Sequence, residues 1–432
     1  MVYEFFKAIN IIPTIMKKTD FQTTYNKRNE TALTICSLNY LPKAMVLIDS
    51  YLKHHPDQTF NLVIVDKKTH IPFINRDNVS IFWVEELGIP NFLAYAFMYD
   101  VIELNTNVKP FMLAKLLKEY DSVLYLDPDI KVYASLSDVF LTLHSHSFVL
   151  TPHYMTPLND GKSPSDIDLL KFGAFNLGFI GVSKCDETFA FLDWWSDRCL
   201  SEGFYEPQLG LAVDQKWIGL TPIFFKDFKI LDDKGLNVAF WNLHERTINK
   251  TKDGWTVNNE TSLKFIHFSS FDENNPQTIA KKQNRFVSGS RPDFIKLAED
   301  YAKELVIKSD EFHVSPQYSF DYFDNGMLIT PALRRLYGGL HQQIFAKIEN
   351  PFNAKSKVFI FAKKHRLLSD NKNAPRHTFN AVSHFSFQIK VINAMLRCLL
   401  YLLGPHKYFN LMRYLAHISS IRKQSEMFLK KK

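Results

Sequence analysis

The chain has 432 residues and a formal net charge of +7. It is long enough for two domains, or for one large domain with an appendage, and for a substantial buried core. Hydrophobic residues make up 46% of the sequence and charged residues 22%, which excludes a disordered protein. The charge is unevenly divided, since residues 351–432 contain 16 Lys and Arg but only 2 Asp and Glu. We therefore expect an anionic partner for this tail, and its apolar content favours lipid over nucleic acid.

The N-terminal residues and the cysteines bear on cellular location. Residues 1–16 are apolar but are interrupted by Glu4 and Lys7 and lack a small-residue cleavage site, so they make a poor signal peptide. No run approaches the roughly 18 uncharged residues of a membrane-spanning helix. The cysteines show no metal-ligand or redox spacing, which predicts buried thiols in a reducing, cytoplasmic compartment; they are Cys36, Cys185, Cys199 and Cys398.

The first third of the chain alternates strand and helix patterns. Apolar runs predict buried strands over residues 31–38, 60–65 and 79–84, and a helix over 42–54 follows the first of them. Strands that alternate with helices favour an α/β fold with a mostly parallel sheet. Ligands of such sheets bind beside the carboxyl ends of the strands, where residues 37–40 and Asp66 are expected to lie.

The most informative stretch is the apolar run Val123–Leu126, which ends in Asp127, Pro128 and Asp129. The proline fixes its own φ and favours an extended Asp127, so the two carboxylates are presented from a defined turn. Hard divalent cations prefer such oxygen ligands. The pattern predicts a metal site that holds a diphosphate, with an ordinary polar turn as the alternative.

Further candidates lie on both sides of this pair. A helix predicted over 108–120 starts with Lys109, which either reaches an anion in the crevice or is simply solvated. The predicted strand 172–182 contains Asn176 among three glycines. Because glycines weaken a strand, we expect close approach of a ligand or another backbone there, with a core bulge as the alternative.

The later candidates each have a structural alternative as well. Asp214 and Gln215 open a predicted helix, which either residue could cap. His267 ends a predicted strand over 262–268, and a core or edge histidine is the simpler interpretation of it alone. Beside two aspartates that lack a third protein ligand, it becomes a nitrogen donor to Mn²⁺ or Mg²⁺.

The C-terminal part changes in character. Helical patterns over 293–307 and 331–346 precede a basic and apolar tail, in which the helices 389–403 and 408–421 are separated by Gly404-Pro405. Such a helix pair suits the headgroup layer of an anionic membrane, and a cap packed on the rest of the protein is the alternative. We therefore divide the chain into an N-terminal extension (1–30), a catalytic region (31–272), a helical region (273–350) and a basic amphipathic tail (351–432).

Five segments in order resemble the retaining, metal-dependent glycosyltransferases of the A-type fold, the group of glycogenin and the lipopolysaccharide galactosyltransferases. The resemblance covers residues 31–272 and includes residues 37–40, 124–130, 175–178, 214–215 and 266–268. It implies a Rossmann-like, mostly parallel sheet flanked by helices. It also implies hexosyl transfer from a UDP-sugar to a glycan acceptor, which the basic tail suggests is lipid-linked at the inner membrane face.

The resemblance assigns a role to each candidate. Metal ligands would be Asp127, Asp129 and His267, and the cation would be Mn²⁺ or Mg²⁺. The uracil base would lie at Ser37, Asn39 and Tyr40, with Asp66 in the same loop cluster. The donor would contact Lys109, Asn176, Gly178 and Asp214, and Gln215 would lie at the reacting face of the sugar.

The sequence departs from this family after the histidine. The family carries Gly-x-x-Lys-Pro-Trp there, whereas this chain reads Phe-Ser-Ser-Phe-Asp-Glu from Phe268. The diphosphate-binding lysine is therefore unassigned, with Lys281, Lys282, Arg285 and Arg291 as candidates. A glutamine is a poor general base, so Gln215 favours retention. The alternatives are an inverting transferase with Asp214 as base, and a non-catalytic membrane-associated sugar- or nucleotide-binding protein.

Overall fold

The structure is a computed structural model that describes residues 28–69, 76–312, 317–369 and 386–429. Nearly all of the predicted N-terminal extension, residues 1–27, lies outside the described residues. Between residues 30 and 202, strands are interspersed with helices, as the sequence predicts.

The strands follow this order: β1 (Glu30–Cys36), β2 (Phe60–Ile64), β3 (Val79–Trp83), β4 (Ser122–Leu126), β5 (Ile130–Val132), β6 (Phe148–Pro152), β7 (Phe175–Ser183), β8 (Tyr205–Glu206), β9 (Leu211–Ala212), β10 (Phe228–Ile230), β11 (Ile248–Lys250), β12 (Trp255–Val257), β13 (Thr261–Ser262) and β14 (Phe265–His267).

The α-helices follow this order: α1 (Leu41–His54), α2 (Phe92–Met98), α3 (Val101–Asn107), α4 (Lys109–Leu116), α5 (Ser137–Leu143), α6 (Asp166–Phe172), α7 (Asp186–Glu202), α8 (Thr221–Phe224), α9 (Pro292–Glu311), α10 (Pro331–Leu340), α11 (Lys357–Lys364) and α12 (Ser386–His417).

A seven-stranded central sheet organises the fold, with the strand order β10-β6-β7-β4-β1-β2-β3. Four of its strand pairs are parallel, and only β7 runs antiparallel to its neighbours β4 and β6. The predicted α/β class with a mostly parallel sheet is thus confirmed. The antiparallel β7 has a consequence for the site, because its first residues lie at the same sheet edge as the last residues of β4.

Both faces of the sheet are covered by helices, and side chains alternate between the two faces with the strand period of two. On β4, Val123 and Tyr125 belong to one buried cluster, together with residues of α4, α7 and α10. Leu124 and Leu126 belong to the other, together with residues of α1 and α5. Because both faces are buried, the central strands read as continuous apolar runs, which is why the sequence revealed them.

The C-terminal part is helical, as predicted, but only some of it stands apart from the core. Phe352, Val358 and Ala362 belong to the cluster that covers one sheet face, so the first residues of the predicted tail pack on the body. The helix α12 is interrupted at Gly404, where φ is 70°, which matches the predicted break at Gly404-Pro405.

Within the described residues, the helix Phe387–His417 is long and apolar enough to cross a membrane by length and composition, although basic residues such as Lys390 and Arg397 interrupt the uncharged run, as the sequence shows. The expectation of buried thiols was wrong in part. All four cysteines are free, but Cys398 is exposed and Cys185 is only partly buried. Cys398 is exposed because α12 lies outside the packed core.

Candidate metal and nucleotide site

Asp127 and Asp129 follow β4 at the carboxyl edge of the central sheet. The turn between them is fixed by the backbone, since the amide of Asp127 donates to the carbonyl of Gly178 at 2.8 Å and that of Ile130 donates to the carbonyl of Asp127 at 3.0 Å. Tyr125, two residues earlier on the same strand face, donates its hydroxyl to Asp127 Oδ1 at 2.5 Å. The two carboxylates are therefore positioned before any ligand binds.

His267 joins this pair through a short two-stranded ribbon. Strand β5 follows the aspartates directly and pairs antiparallel with β14, which places His267 opposite Ile130. His267 Nε2 lies 3.0 Å from Asp129 Oδ1 and 3.6 Å from Asp127 Oδ2. The three ligand atoms lie within 4.8 Å of one another, so the cluster predicted from sequence is brought together.

The charges within the cluster favour the ionised form of Asp129. Burial opposes ionisation of Asp129, but the charge and hydrogen bond of His267 outweigh it and hold the pKa of Asp129 below its usual value. Burial likewise acts to lower the pKa of His267, but Asp129 and Asp127 raise it above the usual range. Two carboxylates and one imidazole are a donor set that suits Mn²⁺ or Mg²⁺.

The orientation of the His267 ring is set by Asn176, near the start of β7. Asn176 Oδ1 lies 3.2 Å from His267 Nδ1 and also accepts from Asn237 Nδ2 at 3.0 Å. A proton on Nδ1 leaves Nε2 facing the aspartates, as a metal ligand requires. Asn176 thus contacts the histidine; its predicted contact with the donor sugar stays a prediction.

His153 fixes Asn176 from the other side. Burial lowers the pKa of His153 to about 4, so its ring is neutral at pH 7. The ring lies with Nδ1 3.2 Å from the carbonyl of Ala174 and Nε2 3.3 Å from Asn176 Nδ2. Nδ1 then donates and Nε2 accepts, which directs the carbonyl oxygen of Asn176 toward His267.

Gly178 lies against the metal cluster. A Cβ at this position would lie 2.3 Å from His267 Cε1, 2.7 Å from its Nδ1 and 2.8 Å from Asp127 Oδ2. The close approach expected from the glycines of β7 is therefore an approach to site side chains, and any larger residue would displace them.

A cavity of about 110 Å³ opens beside the cluster. Its wall includes Lys109, Asp127, Gly178, Asp214 and Gln215, which come from four separate stretches of the chain. The cavity thus extends from Asp127 to Lys109, Asp214 and Gln215, three residues to which the family resemblance assigns contacts near the donor.

Lys109 and Asp214 form an ion pair in the wall of this cavity. Lys109 Nζ lies 2.7 Å from Asp214 Oδ2, and each side chain is 2% exposed. The ammonium also donates to the carbonyl of Leu177 at 2.6 Å. Burial raises the pKa of Asp214, and Lys109 opposes that rise. The ammonium of Lys109 is thus held by protein partners, and its predicted contact with the donor stays a prediction.

Gln215 is held at both ends of its amide. Its Oε1 accepts from the amide of Leu177 at 3.0 Å, and its Nε2 donates to the carbonyl of Phe172 at 3.0 Å. Gln215 is the residue that precedes a short 3₁₀ helix (Lys216–Leu220), and its side chain makes no capping bond. The prediction that Asp214 or Gln215 caps the helix was therefore wrong. The side chain of Asp214 pairs with Lys109, and the side-chain amide of Gln215 bonds to the backbone of Leu177 and Phe172.

The loop after β1 contains the other predicted contacts. Ser37 Oγ donates to Asn39 Oδ1 at 2.6 Å, and Tyr40 is 42% exposed. Asp66 is buried and accepts from the amide of Leu38 at 2.8 Å and from the hydroxyl of Ser319 at 2.6 Å. Asp66 therefore holds this loop in place, and Tyr40 remains partly exposed beside it; its predicted stacking on a base stays a prediction.

Most of the basic residues predicted to bind the diphosphate form ion pairs with acidic residues of the protein. Arg285 pairs with Asp160, Arg291 with Asp293, and Lys281 with Asp272. Lys43, in the first turn of α1, was not predicted. Its ammonium lies 4.7 Å from the centre of the Tyr40 ring, and its charge helps to lower the pKa of Asp129.

Other site residues were also missed from the sequence. Tyr125 could have been found, since residues two apart on a strand share a face and Tyr125 and Asp127 are so spaced. Lys43 follows Tyr40 by three residues at a helix start, which is a weaker signal. Asn237 and His153 lie in unrelated stretches and gave no signal.

No family model matches the sequence. Two uncharacterized proteins of Bacillus subtilis (strain 168) are similar to it: YfnD is 26% identical over 248 residues, covering 55% of this chain and 76% of YfnD, and YfnF is 27% identical over 244 residues, covering 55% of this chain and 80% of YfnF.

Similar solved structures include two glycosyltransferases. The galactosyltransferase LgtC, in complex with donor and acceptor sugar analogs, is 14% identical with a TM-score of 0.40, covering 67% of this chain and 98% of LgtC. GlyE of Streptococcus pneumoniae TIGR4 is 16% identical with a TM-score of 0.38, covering 66% of this chain and 63% of GlyE. At these values a functional assignment depends on the site itself.

Proposed function

We propose that this protein is a metal-dependent glycosyltransferase that moves a hexose from a UDP-sugar to a glycan acceptor with retention of the anomeric configuration. The observation that carries the proposal is the cluster of Asp127, Asp129 and His267 at the carboxyl edge of β4, with a cavity beside it. The motif order of the sequence, from Ser37 to His267, supports the same assignment.

The chemistry follows from where charge develops. Cleavage of the bond between the anomeric carbon and the phosphate oxygen leaves negative charge on the diphosphate, which a divalent cation held by Asp127, Asp129 and His267 would stabilise. Tyr125 and Asn176 hold two of these ligands in orientation. Lys43 would add positive charge on the side of α1.

The state of Asp214 supports retention over inversion. An inverting transferase needs a carboxylate that is free to take the acceptor proton, whereas Asp214 is buried against Lys109. In the retaining course, the acceptor hydroxyl bonds to the anomeric carbon on the face that the phosphate leaves. Its proton then passes to the departing phosphate oxygen, so no protein base is needed.

The stereochemical prediction is that the product keeps the configuration of the donor. It is checked by following the anomeric proton by NMR during transfer from an α-linked UDP-hexose to a synthetic glycoside acceptor. We expect an α-linked product. A β-linked product would overturn the retaining assignment and favour the inverting alternative.

Substitution of Lys43 by Gln tests the source of the additional positive charge. We expect donor hydrolysis to fall about 10–100-fold in kcat/KM, since a hydrogen bond to a charged group contributes about 1.5–3 kcal/mol. The affinity for Mn²⁺ should change far less, because Lys43 is not a ligand. Lys53→Gln removes the same charge from the exposed end of α1 and is the matched control. Equal effects of both changes would contradict the role of Lys43.

The location of the acceptor is a further part of the proposal. The basic, apolar tail favours a lipid-linked glycan at the cytoplasmic face of a membrane, where a peripheral enzyme would meet it. The supporting observation is the exposed apolar surface of α12.

A further inference from the structure

Helix α12 carries a large uncovered apolar surface. None of its most apolar stretch is buried in the protein. Tyr401, Phe387 and Leu402 are 90%, 74% and 71% exposed. An apolar surface of this extent indicates an interaction site. The residues of α12 include four basic side chains and no Asp or Glu: Lys390, Arg397, Lys407 and Arg413.

The chain returns to the body directly after this helix. Residues 420–428, the return segment, pack on α10 and contact Glu206 of strand β8. Arg422 lies 2.8 Å from Glu202 and 3.2 Å from Glu206, and its guanidinium is 4.3 Å from the centre of the Phe204 ring. The fit leaves no room for a side chain on Gly339, whose Cβ would lie 2.5 Å from the carbonyl oxygen of Arg422.

This return constrains how α12 can meet a membrane. On the N-terminal side of α12, the last described contact with the body is that of Ser369 with Leu328, and on the C-terminal side the chain is docked again at Ser420. A chain with both points on one side of a bilayer crosses it an even number of times. Within the described residues, two crossings would require each half of the broken helix to span. The half after Gly404, Pro405–His417, is only about 20 Å long, against the roughly 30 Å of the hydrocarbon core.

We propose that α12 is an in-plane anchor: it lies in the headgroup layer of an anionic membrane without crossing it. Its basic side chains complement anionic lipid, and its apolar side chains enter the boundary of the acyl chains. Although α12 is long and apolar enough to cross a membrane, it attaches peripherally, because the chain contacts the body on both sides of the helix. This inference does not depend on the proposed transferase chemistry.

The return segment links α12 to the strand that lines the cavity. Glu206, which binds the return segment, is next to Tyr205, which lines the cavity beside Asp214 and Gln215. Both belong to strand β8. The C-terminal end of α12 at His417 is three residues from Ser420 and is therefore tethered to the cavity wall.

Binding is tested with the full-length protein and sedimented vesicles. We expect it to bind vesicles that contain phosphatidylglycerol and to bind neutral phosphatidylcholine vesicles poorly. Each basic residue near an anionic surface contributes roughly a five-fold factor, so Arg397→Gln with Arg413→Gln should weaken binding about 25-fold. Lys229→Gln with Lys252→Gln, which removes two exposed charges outside α12, should leave binding nearly unchanged.

Topology is tested on the same vesicles. His406, exposed beside the break at Gly404, and Ser419, exposed just before the return segment, are each changed to Cys in a Cys398→Ser background, and an impermeant maleimide is added outside. Labelling of both thiols as fast as in the free protein supports the in-plane anchor. Protection of the thiol at position 406 would show a pair of crossings and protection of the thiol at position 419 a single crossing, and either result would overturn it. Loss of vesicle binding with a concentration-dependent dimer would overturn it too, since a second copy would then cover α12. Equal weakening by both charge pairs would also contradict it.

Discussion

Gly178→Ala should abolish metal-dependent activity without changing a single metal ligand. The added methyl would overlap His267 Cε1 at 2.3 Å and Asp127 Oδ2 at 2.8 Å, so both ligands must move. A displacement of about 1 Å in a catalytic arrangement costs on the order of 100-fold in rate. We therefore expect donor hydrolysis to fall at least about 100-fold, with a parallel loss of Mn²⁺ affinity measured by calorimetry.

Gly181→Ala is the matched control on the same strand. A Cβ there would lie 2.8 Å from Leu124 Cδ2 and from Val149 Cγ2, so it overpacks the core on the opposite side of β7. Such a change costs about 1–3 kcal/mol of stability but leaves the metal cluster in place. If Gly178→Ala kept its Mn²⁺ affinity, or if both variants lost activity equally, Gly178 would not be needed for the metal site.

Lys109→Met should be the most destabilising single substitution at the site. It leaves the Asp214 carboxylate buried without its partner, and breaking a buried ion pair in this way costs about 3–5 kcal/mol. We expect a corresponding loss in the free energy of unfolding, measured by urea denaturation at pH 7. Replacing both residues, Lys109→Met with Asp214→Leu, removes both charges and should recover most of this loss.

The loss in Lys109→Met should also depend on pH in a defined direction. Burial raises the pKa of Asp214, and without Lys109 that rise is unopposed. A carboxyl with a folded-state pKa above its unfolded-state pKa binds more protons in the folded state, so stability falls as pH rises between the two values. The variant should therefore be closer to wild type at acid pH than at pH 7. A pH-independent difference, or none at all, would contradict the buried pair.

The central sheet could be predicted because its chemistry is local. Strands β1, β2 and β4 are buried on both faces, so each is an apolar run that ends at a polar turn. The short strands β5 and β14, with three residues each, are below the length at which periodicity is informative. Strand β14 was predicted only as part of a longer run, and the pairing of the two strands gave no signal.

In the site, too, residues with a local sequence pattern could be predicted, whereas contacts between distant segments could not. Asp127 and Asp129 could be found because a proline turn after a buried strand contains both. His267 lies more than a hundred residues further along and reaches them only through the β5–β14 ribbon, so the local pattern left a core or edge histidine as the simpler interpretation and only the family resemblance favoured a ligand. The Lys109–Asp214 pair depends on packing between α4 and the loop after β9, which no local pattern records.

The central claim is tested most directly by the release of UDP from a panel of UDP-hexoses, with Mn²⁺ and with EDTA, for wild type and Asp129→Asn. We expect slow hydrolysis of one donor with Mn²⁺, which EDTA and Asp129→Asn each reduce at least about 100-fold. This result would establish a metal-dependent transferase and identify its sugar. Hydrolysis of no donor, together with equal UDP binding in Mn²⁺ and EDTA, would contradict the assignment and favour the non-catalytic alternative.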